Sequence, residues 1–450
     1  MAVDPNSHPG LLPDTVARLD AAVAAAQATG RVPSLIAGVV RAGTLVHVAG
    51  AGEVPTPTAD LQYRIGSISK TLTAALVLRL RDAGALALDD PLAAHLPGTP
   101  VGAVTVRQLL GHVSGLQREP DGDWWERSAG GDVEALLAGL DAGKLAGPPF
   151  AGYHYSNLAY GLLGALLTRA AGQPWWQLVR DQLLAPLGMT RTSYQPTEPF
   201  ARGYVVHPWL GTLREEPRHD AGAMAPAGQL WSTVGDLTRW AAFLADPATA
   251  GGETVLAATT VDEMAVPVAI SDLESWTAGH GLGVELWRRG ERVYLGHTGS
   301  MPGYLAVLVV HRRSRTGVVA FANAYTMLGS GIGGFGIDLL TTVLDNEPEP
   351  VSPWRPGEPA PAEVAPLTGR WWWMGREYEA GWTDGALVLR AVTMPGGTPW
   401  RFTPEAPDVW RCHTGMNTGE ILTVRRGPDG AVSALDIATF VFRRDVLPAE

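Results

Sequence analysis

The segment Asn346–Pro366 constrains the fold of this chain most strongly, because it holds seven prolines in 21 residues. Proline lacks the backbone N–H group that helix interiors and central strands need, so a segment of this composition stays extended. We therefore interpret it as a linker between two domains, residues 1–345 and residues 367–450.

The first domain starts with a helical pattern and then changes to strand patterns. Thr15–Ala28 is rich in alanine and predicts a helix, and the β-branched runs Ser34–Val40 and Thr44–Val48 predict a hairpin. In Ser69–Ala83, leucines recur every four residues, which predicts a long helix. This part of the chain is thus expected to combine a sheet with helices.

Helical character dominates the middle of the chain, from about residue 86 to residue 267, and strand character then returns. The predicted strands are Gly281–Arg288, Arg292–Gly296, Tyr304–His311 and Thr316–Ala322, and the predicted closing helix is Gly334–Leu344. The expected fold class is therefore mixed α/β (α+β), with an antiparallel sheet flanked by helices and an inserted all-helical lobe.

Short apolar runs separated by Gly, Pro and Asp turns make up residues 367–450. The predicted strands are Trp371–Trp373, Ala386–Val392, Trp400–Phe402, Ile421–Val424 and Ala438–Phe442. This pattern predicts a small antiparallel β-barrel. Seven of the 16 tryptophans lie at or after the linker, where they either line an apolar cup or form an aromatic core.

Charge and cysteine content exclude several classes of function. The net charge of −11 gives no basic footprint for nucleic acid, and the single cysteine, Cys412, allows neither an intrachain disulfide nor a thiolate metal cluster. No motif for a metal or cofactor occurs, so none is expected. Met1–Gly10 lacks the pattern of an export signal and no run is apolar enough for a membrane helix, so we expect a cytoplasmic protein without a membrane partner.

Lysine is rare in this chain: of 34 lysine and arginine residues, only Lys70 and Lys144 are lysine. Where arginine is otherwise preferred, a remaining lysine suggests a site that needs an amine able to lose its proton. Lys70 follows Ser67 by three residues at a predicted helix start, so both side chains are expected on one face. This spacing brings a hydroxyl nucleophile within reach of a base.

Two further motifs carry residue types that suit acyl transfer. In Tyr155-Ser156-Asn157, a phenol near a lysine can have its pKa lowered and relay protons, and Asn157 can bond the lysine and a substrate amide. The segment His297-Thr298-Gly299-Ser300 follows a predicted strand, and its glycine allows a substrate backbone to approach closely.

These motifs, in this order and at these separations, resemble the serine β-lactamase and penicillin-binding-protein superfamily, in its branch of class C β-lactamases, D,D-peptidases, esterases and penicillin-binding-protein-type thioesterases. The resemblance covers about residues 33–344. It implies that Ser67 is acylated, that Lys70 and Tyr155 transfer the proton, and that Asn157 positions Lys70 and the substrate. Which of Lys70 and Tyr155 is the acylation base stays open.

The resemblance also assigns the third motif and the last domain. His297 and Thr298 are implied to line the substrate pocket beside Gly299, and the N–H groups of Ser67 and Ser300 are implied to form the oxyanion hole. A histidine replaces the usual lysine of that motif and would hold a substrate carboxylate less firmly, which argues against a β-lactamase.

The last domain is similar to the lipocalin-like domain of many family members, and it carries Gly369-Arg370-Trp371 near its first strand. As a hypothesis, this barrel packs over the catalytic cleft, and Arg443 or Arg444 binds a substrate carboxylate.

Among functions, we favour a stand-alone thioesterase of the penicillin-binding-protein type that releases and macrocyclises nonribosomal peptides. Its substrate would be a small molecule or a peptidyl group, including one attached to a carrier protein. An esterase or D-amino-acid peptidase with the same Ser67 chemistry is the nearest alternative, because only the group that attacks the acyl-enzyme differs. A non-catalytic ligand-binding protein is the alternative from another class. The sequence does not indicate an oligomeric state.

Overall fold

The computed structural model describes residues 10–348 and 356–446, which belong to two units, Met1–Glu349 and Pro350–Glu450. Most of the N-terminal segment used to argue against an export signal, residues 1–9, lies outside the described residues. So does part of the predicted linker, residues 349–355.

The strands of the first unit form one large antiparallel sheet and two small two-stranded pairs. The sheet has eight strands in the order β2-β1-β12-β11-β10-β9-β8-β7, and β3 pairs with β6 and β4 with β5. The strands are β1 Ser34–Arg41, β2 Thr44–Gly52, β3 Tyr63–Arg64, β4 Tyr204–Val206, β5 Leu213–Glu215, β6 Trp231–Ser232, β7 Ala269–Ile270, β8 Ala278–His280, β9 Glu285–Arg289, β10 Arg292–Met301, β11 Tyr304–His311 and β12 Thr316–Ala322.

Helices lie on both faces of this sheet, and most of the shorter ones belong to the region between β3 and β7. The helices are α1 Pro13–Gly30, α2 Ser69–Asp82, α3 Leu92–His95, α4 Val106–Leu110, α5 Val133–Ala138, α6 Asn157–Ala171, α7 Trp175–Val179, α8 Ala225–Gly228, α9 Val234–Ala245, α10 Ala258–Met264 and α11 Gly331–Asn346. This arrangement confirms the predicted fold class. No helix in the described ranges is both long and apolar enough to cross a membrane.

Side chains alternate between the two faces of the sheet, which explains how helices pack on both faces. In β1, Leu35 and Val39 pack in a core with residues of α1 and α11, whereas Ile36 and Val40 pack in the core that includes α2 and α9. A Cβ atom on Gly38 would lie 2.3 Å from Val234 Cγ1 of α9, so glycine is needed there for the helix to approach the sheet.

The second unit is an antiparallel barrel, as predicted, and it closes with eight strands. The strands are β13 Gly369–Trp373, β14 Arg376–Thr383, β15 Ala386–Ala391, β16 Trp400–Ala406, β17 Val409–Cys412, β18 Ile421–Arg426, β19 Val432–Ile437 and β20 Phe440–Arg443. Trp371, Phe402, Trp410 and Phe442 belong to one buried core together with the free thiol of Cys412. These aromatic side chains therefore form a packed core, which is the second of the two arrangements considered for the tryptophans.

Candidate active site

Ser67 lies in the 3-10 turn Gly66–Ile68 that leads directly into α2, and its side chain is partly exposed. The Lys70 ammonium nitrogen, Nζ, lies 2.9 Å from Ser67 Oγ and 2.7 Å from the carbonyl oxygen of Ala227. The three-residue spacing thus brings the hydroxyl and the amine into hydrogen-bonding contact. A neutral Lys70 amine at this position can accept the proton of the serine hydroxyl.

The environment of Lys70 favours the neutral amine. Its side chain is completely buried, and this burial lowers its pKa from 10.5 to about 7, although the charges of Glu119, Glu126 and Glu285 oppose the shift. The only other lysine, Lys144, pairs with Asp121 and Asp141, and its pKa is raised. The environment of Lys70 thus favours the neutral amine, whereas that of Lys144 favours the charged ammonium.

Tyr155 lines the cleft beside the nucleophile. Lys70 Nζ lies 4.9 Å from the centre of its ring, and the ring of His112 packs against it at 4.3 Å. The expected lowering of its pKa does not occur: desolvation raises the pKa well above its ordinary value, and the hydrogen bond with Ser67 opposes this only in part. The phenol is consequently protonated at neutral pH and is placed as a proton donor.

Asn157 is the first residue of α6, which the Ser156 hydroxyl caps by accepting a hydrogen bond from Ala159 N. The expectation that Asn157 positions Lys70 directly is wrong. Its Nδ2 donates to the Glu119 carboxylate at 2.8 and 3.0 Å, and Lys70 bonds Ser67 and Ala227 instead. Asn157 Oδ1 is buried without a partner among the described residues, and Asn157 lines the cleft.

Strand β10 continues through the third motif and does not end at Gly296 as predicted. Thr298 and Ser300 line the cleft, whereas His297 is buried beside Tyr155, with the two ring centres 6.2 Å apart. His297 is buried, with Nδ1 2.5 Å from Thr298 O and 3.3 Å from Glu285 Oε1, and burial lowers its pKa. The expectation that its side chain lines the substrate pocket is therefore wrong.

The nucleophile turn and β10 are in direct contact, which places two backbone N–H groups side by side. A Cβ atom on Gly299 would lie 2.0 Å from Ile65 O and 3.3 Å from Ser67 N, and one on Gly66 would lie 2.5 Å from Ser300 N. Only glycine fits at both positions. The contact brings the N–H groups of Ser67 and Ser300 together, as an oxyanion hole requires.

One edge of β10 is open beside the nucleophile. Its pairing with β9 stops at Gly296, whereas its pairing with β11 continues to Met301. Beyond Gly296, the Thr298 N–H group donates to the Glu285 carboxylate on the β9 side. Because alternate residues of an antiparallel strand direct their N–H groups to the same edge, the Ser300 N–H group belongs to this open edge too.

These elements surround a cleft of about 610 Å³. Its lining residues come from several distant segments: Ser67, Arg118, Glu126, Tyr153, Tyr155, Asn157, Glu285, Trp287, Arg289, Thr298, Gly299, Ser300, Leu305, Ser330, Ile332, Gly333, Gly334 and Ile337. Sequence reasoning missed the acidic residues Glu119, Glu126 and Glu285 and the buried His280, because none belongs to a motif. Among the described residues, no group of three or more acidic, histidine or cysteine side chains is placed to hold a metal ion.

Arg443 and Arg444 lie at the end of the barrel. The Arg444 guanidinium donates to the carbonyl oxygens of Pro366, Thr368 and Arg370 and lies 3.7 Å from the centre of the Trp371 ring. Arg444 is thus occupied in holding the barrel together, which argues against the predicted role in binding a carboxylate. Arg443 is exposed at the end of β20.

Comparison with known proteins finds two matching family models. The model described as Beta-lactamase matches residues 19–335, and the one described as Domain of unknown function (DUF7586) matches residues 360–444. The first covers the nucleophile, the tyrosine motif and β10.

Individual proteins are also similar to this chain. Penicillin-binding protein 4 from Amycolatopsis lactamdurans is 33% identical over 369 residues, which cover 76% of this chain and 90% of that protein. D-alanyl-D-alanine-carboxypeptidase/endopeptidase AmpH from Escherichia coli K12 is 31% identical over 53% of this chain and 63% of its own length. Several other curated relatives are matched over about half of their length.

Among solved structures, the D-stereospecific amidohydrolase from Streptomyces sp. superposes with a TM-score of 0.61 at 26% identity. The superposition covers 73% of this chain and 97% of that one.

Proposed function

The chain belongs to the Beta-lactamase family of serine hydrolases, and we propose that it transfers a peptidyl acyl group from an ester or thioester to Ser67 and then to an amine or water. The acceptor distinguishes a peptide-cyclising thioesterase from an esterase or a D-amino-acid peptidase. Of these, we favour the thioesterase that releases and macrocyclises peptides.

The open edge of β10 is the observation that carries this proposal. A peptide chain can add to the edge beyond Gly296 as a further strand, which would place one of its carbonyl carbons next to Ser67 Oγ. The cleft of about 610 Å³ has room for several residues of such a chain. A peptidyl donor therefore suits the cleft better than a small ester does.

The proposed acylation step uses the groups around Ser67 in order. Neutral Lys70 accepts the proton of Ser67 as Oγ attacks the carbonyl carbon, and the N–H groups of Ser67 and Ser300 stabilise the oxyanion. Lys70, now protonated, can return this proton to the leaving group, with the Tyr155 hydroxyl beside it as a relay. The raised pKa of this phenol supports Lys70, rather than Tyr155, as the acylation base.

The names of two similar proteins support a D-configured residue at the acyl carbonyl. One is a D-alanyl-D-alanine-carboxypeptidase/endopeptidase and the other a D-stereospecific amidohydrolase. We extend this preference to the present chain as part of the proposal. It makes a peptidyl thioester with a terminal D-residue the substrate to test first.

The test uses peptidyl thioesters that differ only in the configuration of the last residue. Mass spectrometry should detect an acyl adduct on Ser67 and a cyclic or linear product, with at least tenfold faster turnover of the D-configured thioester. Equal turnover of the D- and L-configured thioesters would overturn the proposed preference for a D-configured residue. A linear acid as the only product would favour the esterase or peptidase.

A fluorophosphonate probe separates an enzyme from a ligand-binding protein. Labelling should occur in the parent protein, disappear in Ser67→Ala, and persist in the control Ser433→Ala, which removes a hydroxyl from barrel strand β19. Absence of labelling and of any acyl adduct would contradict the whole proposal.

A further inference from the structure

Glu126 is an acidic residue of the cleft whose carboxylate has no partner. It lines the same cleft as Ser67 and is partly buried, and it makes no hydrogen bond or ion pair with any described residue. A carboxylate withdrawn from water without a partner is unfavourable, so such a group in a cleft indicates that a ligand completes it.

The other two acidic residues near the nucleophile are already satisfied. Glu285 accepts hydrogen bonds from Thr298 Oγ1 at 2.9 Å and lies 3.3 Å from His297 Nδ1. Glu119 accepts from Asn157 Nδ2 and, at 2.8 Å, from Trp125 Nε1. Glu126 is therefore the acidic group of this region that is available to a substrate.

The basic side chains near Glu126 make their hydrogen bonds to other residues. Lys70 bonds Ser67 and Ala227, and Arg64 is buried and donates to Gln229 Oε1 at 2.9 Å. Arg118 donates to Glu119 at 3.1 Å. Their charges act on Glu126 only from a distance, and burial together with Glu119 raises the pKa of Glu126 to about 7. A bound cation would offset that destabilisation of the carboxylate.

We propose that Glu126 binds a primary ammonium group of the substrate inside the cleft and so selects for reactants with a free amine. The inference rests on the proposed function and adds a specificity-determining residue to it. One free carboxylate, in a described structure without a group of three metal-binding side chains, suits an ammonium ion better than a metal ion. The amine can belong to the acyl donor or to the acceptor that attacks the acyl-enzyme.

Two arms of one experiment distinguish these sources. In the donor arm, kcat/KM is measured for a D-leucyl thioester and its N-acetyl derivative. In the acceptor arm, the N-acetyl-D-leucyl thioester acylates the enzyme, and the ratio of aminolysis to hydrolysis is measured with added glycinamide. The variants are Glu126→Gln and Glu126→Asp, with Glu134→Gln as a control that removes the same charge from an exposed position on α5.

If the donor amine binds Glu126, Glu126→Gln lowers the preference for the free-amine thioester about tenfold to a hundredfold, which is the range of one charge-assisted hydrogen bond. If the acceptor amine binds there, the aminolysis ratio falls by a similar factor. Glu126→Asp keeps part of the preference because the charge remains, and Glu134→Gln matches the parent protein in both arms.

Equal losses for all reactants in Glu126→Gln, or no change in either ratio, would overturn the inference. The proposed function fails on a different result, namely that no thioester forms an acyl adduct on Ser67 in the parent protein. The two failures are therefore distinguishable.

Discussion

Lys70 Nζ lies 2.9 Å from Ser67 Oγ, and its second partner is a carbonyl oxygen 2.7 Å away. Neither contact is an anion, so nothing adjacent compensates for a positive charge on this fully buried amine. The pKa of Lys70 falls to about 7 for this reason. A lysine in this state can act as a base near neutral pH, which arginine cannot do.

Replacing Lys70 tests its role as a base. We expect both Lys70→Ala and Lys70→Arg to lower the acylation rate by about 10² to 10⁴, because the first lacks the acceptor and the second keeps its proton. Stopped-flow acylation with a chromogenic thioester measures the rate. Lys144→Arg is the matched control, since it keeps the ion pairs with Asp121 and Asp141 and should retain full activity. Substantial activity in Lys70→Arg would contradict the role.

The acylation rate should rise with pH through about 7 and level off above it. The rate rises because only the neutral amine accepts the proton, and the fraction of neutral Lys70 increases as the pH passes its pKa. Glu126 also has a pKa of about 7, so the profile is repeated in Glu126→Gln. In Glu126→Gln the rise of the rate with pH should persist and move to slightly lower pH, because the charge of Glu126 raises the pKa of Lys70. If the rise of the rate with pH disappeared in this variant, the titrating group would be Glu126 instead of Lys70.

Removing the buried amine should stabilise the protein while it abolishes activity. The lowered pKa means that the unfolded chain binds more protons than the folded one between pH 7 and pH 10.5, so Lys70 is least favourable to folding at pH 7 and below. We expect Lys70→Met to increase the free energy of unfolding at pH 7 by more than about 1 kcal/mol, with a smaller gain at pH 10. Urea unfolding followed by tryptophan fluorescence measures both values, and a less stable variant at pH 7 would refute the expectation.

Gly299 permits the contact between β10 and the nucleophile turn, and this can be tested with one methyl group. In Gly299→Ala the new Cβ would lie 2.0 Å from Ile65 O, so the strand must move and the two oxyanion donors separate. We expect the acylation rate to fall about 10² or more. Gly396→Ala in the barrel, where a Cβ meets no atom within 4 Å, is the control. Equal rates for the two variants would show that the contact is not needed.

Local sequence patterns were sufficient to predict many of the helices and strands and the contact between Ser67 and Lys70. The predicted helix Thr15–Ala28 is observed as Pro13–Gly30, and the hairpin and the five predicted barrel strands occur close to their predicted bounds, whereas β14, β17 and β19 were not predicted. The contact between Ser67 and Lys70 was predictable because three residues make about one helical turn, whatever surrounds them. Periodicity and spacing are properties of the backbone that need no distant partner.

Predictions failed where a side chain's role depends on a distant segment. Asn157 was expected to bond Lys70 but bonds Glu119, and His297 is buried beside Tyr155 instead of lining the cleft. The end of β10 was placed too early, because its last residues are held by β11 and not by a pattern of their own.

The order of the three motifs identified the family, and the spacing of Ser67 and Lys70 predicted their contact, because both depend only on residue types and their positions along the chain. The charges that act on Ser67 and Lys70 could not be read from the sequence. Glu126 and Glu285 lie about 60 and more than 200 residues from Ser67 in the chain, and the fold brings both to one cleft. Burial and electrostatic interaction depend on distance in space, so the pKa of Lys70 and the free carboxylate of Glu126 become visible only once the chain has folded.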